Sequence, residues 1–210
     1  MIKEINYKID LPSKGSWDTY FKEYHSFIEF AFRKIEGGEI TGITLPLASC
    51  IRQTLELGFK ARILELEKIS NIKSNISFHG KGGHKIDDLY NKFDNQINAI
   101  FSMFEINKDI VKQYNQMNKE LKELTLTIHK LDAFSYSFRY PEKVKRPNKK
   151  DSKDSKDSKD STETTEKNFI FKQDFDEQDS INFFEIKNLF EKCEGLLLHT
   201  TDVILNELKE

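Results

Sequence analysis

The stretch LPLASCIRQTLELGFKARILEL, Leu45 to Leu66, constrains this chain more than any other. Nearly every residue in it suits a hydrophobic interior, so it reads as a helix that neighbours cover over most of its circumference. Such a helix needs a jacket of other helices. Yet Arg52, Glu56 and Lys60 interrupt it at four-residue intervals. Positions four apart drift by only ~40° around a helix, so the three charges form one narrow stripe. Phe59 and Ile63 flank the stripe on one side, Leu57 and Leu64 on the other. An unpaired buried charge costs several kcal/mol, so the stripe is paired, wetted, or both. Two readings follow. One is an ion pair between Arg52 and Glu56 with Lys60 stretching toward solvent. The other is a polar groove in which the charges meet a ligand or a second subunit.

The rest of the chain supplies the jacket. Ser16 reads as the N-cap of a first helix, with Trp17, Tyr20, Phe21, Tyr24, Phe27, Ile28, Ala31 and Ile35 spaced as one buried face, stopped by Gly37 and Gly38. The second helix is expected from about Leu47 to Ile69, with Pro46 in its first turn. A third restarts near His84 and carries Leu89, Phe93, Ile97, Ile100, Phe101 and Phe104. A fourth runs from Asn107 to about Leu131, with a break placed near Thr125 and one narrow buried side. Asp179 or Ser180 is the expected cap of a last helix reaching Leu208. Between these two helices the period changes. Phe134, Tyr136, Phe138 and Tyr140 alternate as in a strand, and so do residues 168–175. The residues between the strands include the run KKDSKDSKDSKDS, and after Val144 they hold no hydrophobic residue that could bury surface. Residues 142–167 are therefore expected to be a disordered Lys/Asp/Ser-rich loop. The predicted architecture is a single domain over residues 1–210. It is all-α, an up-and-down helical bundle with a small β-hairpin inserted before the last helix.

Bulk properties exclude some functions. At 210 residues and a formal charge of −2, the chain is no polyanion binder by net charge alone, although local basic patches remain available. The 17 Phe provide ample core area. Cys50 and Cys193 have no metal-type spacing and read as free thiols suited to a reducing compartment. No apolar run is long enough to span a bilayer, and the N-terminus lacks the apolar core of a signal peptide, so the expected location is cytoplasmic, without a membrane.

Two further features carry chemistry. His79 and His84 flank a glycine loop, FHGKGGHKIDDL, that opens a helix, where free N–H groups favour an anion. The loop lacks the Gly-Lys-Ser/Thr of a phosphate-cradling P-loop. It also lacks a third metal ligand, so neither a metal nor a cofactor is expected. Arg139 and Tyr140, at a strand end before Pro141, either anchor the strand to a carboxylate such as Glu56 or face a ligand. His25, His129 and His199 sit singly on helices and read as structural or exposed.

The segments CIRQTLELGFKARIL, GGHKIDDLYNKF and FRYPE, followed by a terminal helix, resemble bacterial HEPN-like (higher eukaryote and prokaryote nucleotide-binding) helical domains. The resemblance implies an up-and-down bundle that pairs as a homodimer or with an operon-encoded protein, in an antiviral defence or toxin–antitoxin setting. In active members two Arg-x4–6-His motifs meet in a dimer to make a metal-independent ribonuclease. Here no Arg is followed by His at that spacing; after Arg139 the next His is His199. The resemblance thus implies binding of RNA, a nucleotide or a partner protein through Arg52, Glu56, Lys60, His79, His84, Arg139 and Tyr140. The alternatives are a divergent endoribonuclease in which Arg52, Glu56 and His84 converge as catalytic candidates, and a purely structural interaction subunit.

Overall fold

The protein is described by a computed structural model. It covers residues 15–75, 81–132, 138, 142–144, 171–173 and 182–209. Five helices account for most of these: α1 (Trp17–Glu36), α2 (Thr44–Ser70), α3 (Ile86–Met103), α4 (Lys108–Leu131) and α5 (Phe183–Glu207). A single 3₁₀ turn, Lys81–His84, precedes α3.

The helix boundaries follow local chemistry. The Ser16 hydroxyl accepts the Thr19 N–H and starts α1, and Gly37 closes it. Helix α2 begins three residues before the expected Leu47, which places Pro46 in its first turn, where a missing N–H costs nothing. It ends at Asn71, which takes the left-handed conformation that asparagine tolerates (φ 55°). Helix α4 is continuous through Thr125, where a break was expected; Thr125 is buried and its neighbour Leu124 belongs to the core. Asn182, rather than Asp179 or Ser180, caps α5 by accepting the Glu185 N–H.

Helix α2 is the axis. It packs against α1, α3, α4 and α5. Ile51, Leu55, Phe59, Ile63 and Leu66 are fully buried along it. Gly58 lets α1 and α5 close in: a Cβ there would stand 3.0 Å from both Leu197 Cδ1 and Phe21 Cε2. The all-α bundle is as expected from the sequence.

Two details depart from the sequence reading. The inward face of α1 is Phe21, His25, Ile28, Ala31 and Phe32, whereas Tyr20 and Phe27 point outward. Helix α1 carries aromatics around more than half its circumference, so packing rather than periodicity selects the buried side. Glu142–Val144 pairs antiparallel with Phe171–Gln173. Phe138, one of the alternating aromatics, is buried in the core cluster. The rest of the first expected strand, residues 145–167 of the expected loop, and the link between the paired segments lie outside the described residues.

Candidate functional site

The charged stripe of α2 is interior. Arg52, Glu56 and Lys60 are 1%, 2% and 1% exposed. Burial of this degree demands full pairing, and two distant elements deliver it. The Arg52 guanidinium donates through Nη1 to Glu56 Oε2 (3.0 Å) and through Nε to the backbone carbonyl of Asp132 (2.8 Å). Its Nη2 donates to the backbone carbonyl of His84. The Asp132 carboxylate, also buried, lies 3.7 Å from Arg52 Nε. The rigid fork of arginine suits this task, since its donors diverge in one plane toward three separate acceptors.

Glu56 is the hub. Its Oε1 accepts from Lys60 Nζ (2.8 Å) and from His84 Nδ1 (2.8 Å), while Oε2 accepts from Arg52. Burial alone pushes the Glu56 carboxyl up. The bond and charge of Lys60, the bond from Arg52 and the charge of His84 outweigh it, and the carboxyl is held below its ordinary value. Lys60 has a second neighbour that sequence reasoning missed: its ammonium stands 4.8 Å from the centre of the Trp17 ring. The expected escape of Lys60 to solvent does not occur, because α1 lies over it.

His84 is the member that reaches the surface, with a side chain 47% exposed. Its Nδ1 is tied to Glu56, so Nε2 is the ring atom left to face outward. Among the described residues, then, Arg52, Glu56, Lys60 and His84 do meet, joined by Asp132. His79, Arg139 and Tyr140 lie outside the described residues. Asp132 had no sequence signal of its own; it is the residue after a helix whose last turn carries His129 and Lys130.

Four cavities open among the described residues. They measure about 300, 220, 700 and 180 Å³, and Arg52, Glu56, Lys60 and His84 line none of these four. The first is walled by Phe32, Leu47, Ile51, Ile128, Phe183 and Ile186, and the second by Phe101, Tyr114, Met117, Leu196, Val203 and Ile204. The third is polar, with Asp18, Lys22, Arg62, Glu65 and Lys68 on its wall. Arg62 there is paired with Asp18 and, at 2.8 Å, with Glu65.

Comparison with family models, with curated proteins and with solved structures finds no match to this chain. The site therefore stands on its own geometry. No helix among the described residues is long and apolar enough to cross a membrane.

Proposed function

We propose that this chain is an interaction subunit, a helical bundle of HEPN-like type that engages a protein partner, first of all a second copy of itself, through the outer face of α1. One observation carries this reading: the charged stripe of α2 is buried, while three aromatics of α1 face outward. Tyr20, Phe27 and Phe30 on α1 are 44%, 45% and 46% exposed, while the α2 stripe is interior. Aromatic side chains grouped on one exposed helix are what protein interfaces use as anchors. The buried stripe then acts as an internal clamp and not as the wall of a charged groove. Pairing of bundles is also what the HEPN resemblance implies, and a role in a bacterial defence or stress system rests on that resemblance alone. Light scattering on the purified chain, across a concentration series, tests the reading. Self-association that Phe27→Glu abolishes without loss of helicity is expected; a wild-type chain that stays monomeric at ~100 µM, where even a weak dimer is populated, refutes it.

A second reading, a metal-independent ribonuclease, is favoured by a different observation. Glu56 holds His84 through Nδ1 on a half-exposed side chain, the arrangement of a carboxylate-oriented general base. Incubation with labelled RNA in EDTA decides it. Cleavage lost in His84→Ala sustains the enzyme, and RNA left intact by the wild type dismisses it.

A further inference from the structure

From its spacing alone His25 reads as structural or exposed, but the fold gives it two acidic neighbours. His25 and Glu29 are four residues apart on α1 and so share a face. Glu194 reaches them from α5, 169 positions along the chain from His25. His25 Nε2 stands 2.8 Å from Glu194 Oε2, and His25 Nδ1 stands 3.7 Å from Glu29 Oε2. One ligand atom from each of the three residues can be chosen so that all lie within 4.8 Å of one another.

The imidazole is the rigid member. It is buried, stacked on Phe190 (centroids 5.6 Å apart, planes 29° apart) and tilted against Phe21 at 6.0 Å. Glu194 is partly exposed and Glu29 is exposed, so the acidic side opens to solvent. A fixed imidazole with two adjustable carboxylates is a three-ligand set with an open fourth position.

We propose that His25, Glu29 and Glu194 bind a zinc-class divalent ion, with water in the remaining position. The donor chemistry selects the metal. One imidazole nitrogen with two carboxylates suits zinc and its transition-series neighbours, whereas calcium and magnesium take all-oxygen shells. An ion on Nε2 keeps Glu194, already 2.8 Å from that nitrogen, as its neighbour, while the exposed Glu29 side chain, now 3.7 Å from Nδ1, swings across the ring to complete bonds of about 2.0–2.2 Å. The ion links the first helix to the last, so its binding raises the melting temperature as well as filling a site.

The test uses the full chain, stripped with chelator and dialysed against Zn²⁺, with Co²⁺ as a spectroscopic probe and Mg²⁺ as a control. Expected are one Zn²⁺ per chain, a higher melting temperature with Zn²⁺ but not Mg²⁺, and visible Co²⁺ absorption of a low-coordinate nitrogen–oxygen site. His25 supports the core, so the variants that decide are Glu29→Gln and Glu194→Gln. Since loss of outer-shell partners alone costs metal sites 10–100-fold, loss of a direct ligand is expected to weaken Zn²⁺ binding by at least about tenfold in each. Absence of stoichiometric Zn²⁺ in the wild type overturns the proposal. So does undiminished binding in both variants, which would place the ion on other residues.

Discussion

Replacing Glu56 by glutamine keeps the volume of the side chain and removes one negative charge from the centre of the bundle. Arg52 retains the Asp132 carboxylate at 3.7 Å and two backbone carbonyls. Lys60 retains only weak company, the Trp17 ring at 4.8 Å and a neutral amide in place of a carboxylate. The cost is therefore concentrated on Lys60, a buried ammonium deprived of its counter-ion. Breaking a buried pair in this way costs ~3–5 kcal/mol, a large part of the stability of a typical domain. Urea unfolding followed by circular dichroism reads the loss as a lower midpoint at unchanged slope. Adding Lys60→Met to Glu56→Gln is expected to restore most of it, because no isolated charge then remains. A pH series gives an independent check. The Glu56 carboxyl is depressed in the folded state, so its contribution is fully present above the ordinary carboxylate value of about 4.3 and is lost as pH falls through the lower folded value. The gap between wild type and Glu56→Gln should accordingly close in acid. A loss below about 1 kcal/mol at neutral pH, the range of exposed pairs, would refute the interior clamp and mean that water reaches the stripe.

Other perturbations have equally definite outcomes. Arg52→Met, Glu56→Leu and Lys60→Met made together remove the three charges but strip the Asp132 and His84 carbonyls and the buried Asp132 carboxylate of the Arg52 donor, so a loss of ~1–3 kcal/mol is expected, measured by the same unfolding curves. Gly58→Ala gains up to ~1 kcal/mol of helix propensity but forces its methyl against Leu197 and Phe21, where overpacking costs ~1–3 kcal/mol; a net drop in melting temperature is expected, and a rise would show that α1 and α5 give way freely. Burial pushes the Cys193 thiol up to about 12, and it pushes the Cys50 thiol up as well. Neither is therefore a thiolate at neutral pH, and mass spectrometry after brief iodoacetamide treatment should find Cys193 alkylated only in denaturant.

How much of this was legible in the chain differs from element to element. Helix α1 announces its ends, because Ser16 and Gly37 act locally, within a turn of the residues they cap. Its buried face does not follow from spacing, because Phe27 and Phe30 are as apolar as Phe21 and Phe32; only contact with α2 and α5 decides which set turns inward. The stripe on α2 was visible as a regular pattern, and so was the Arg52–Glu56 pair, which needs nothing beyond one helix. Its depth was not visible. That depends on Asp132 and the His84 carbonyl, 80 and 32 positions away from Arg52. The cluster at His25 was half visible, in the four-residue spacing to Glu29, and its other half comes from Glu194, at the far end of the chain. Contacts that close over long sequence separations leave no local trace.

That same separation sets an order on how the molecule is assembled. Helix α2 is made before the acceptors that make its charges tolerable, which lie in the turn before α3 and at the end of α4. Until residue 132 has been made, Arg52 lacks one of its three acceptors, and α2 with α1 alone is expected to stay a loosely held, solvated hairpin. Completion of α4 supplies the missing acceptor, and α5 brings Ile186, Leu189, Phe190 and Leu197 to the same core. A truncated product ending before Asp132 should thus be open and sensitive to protease, although it contains the most apolar helix of the protein.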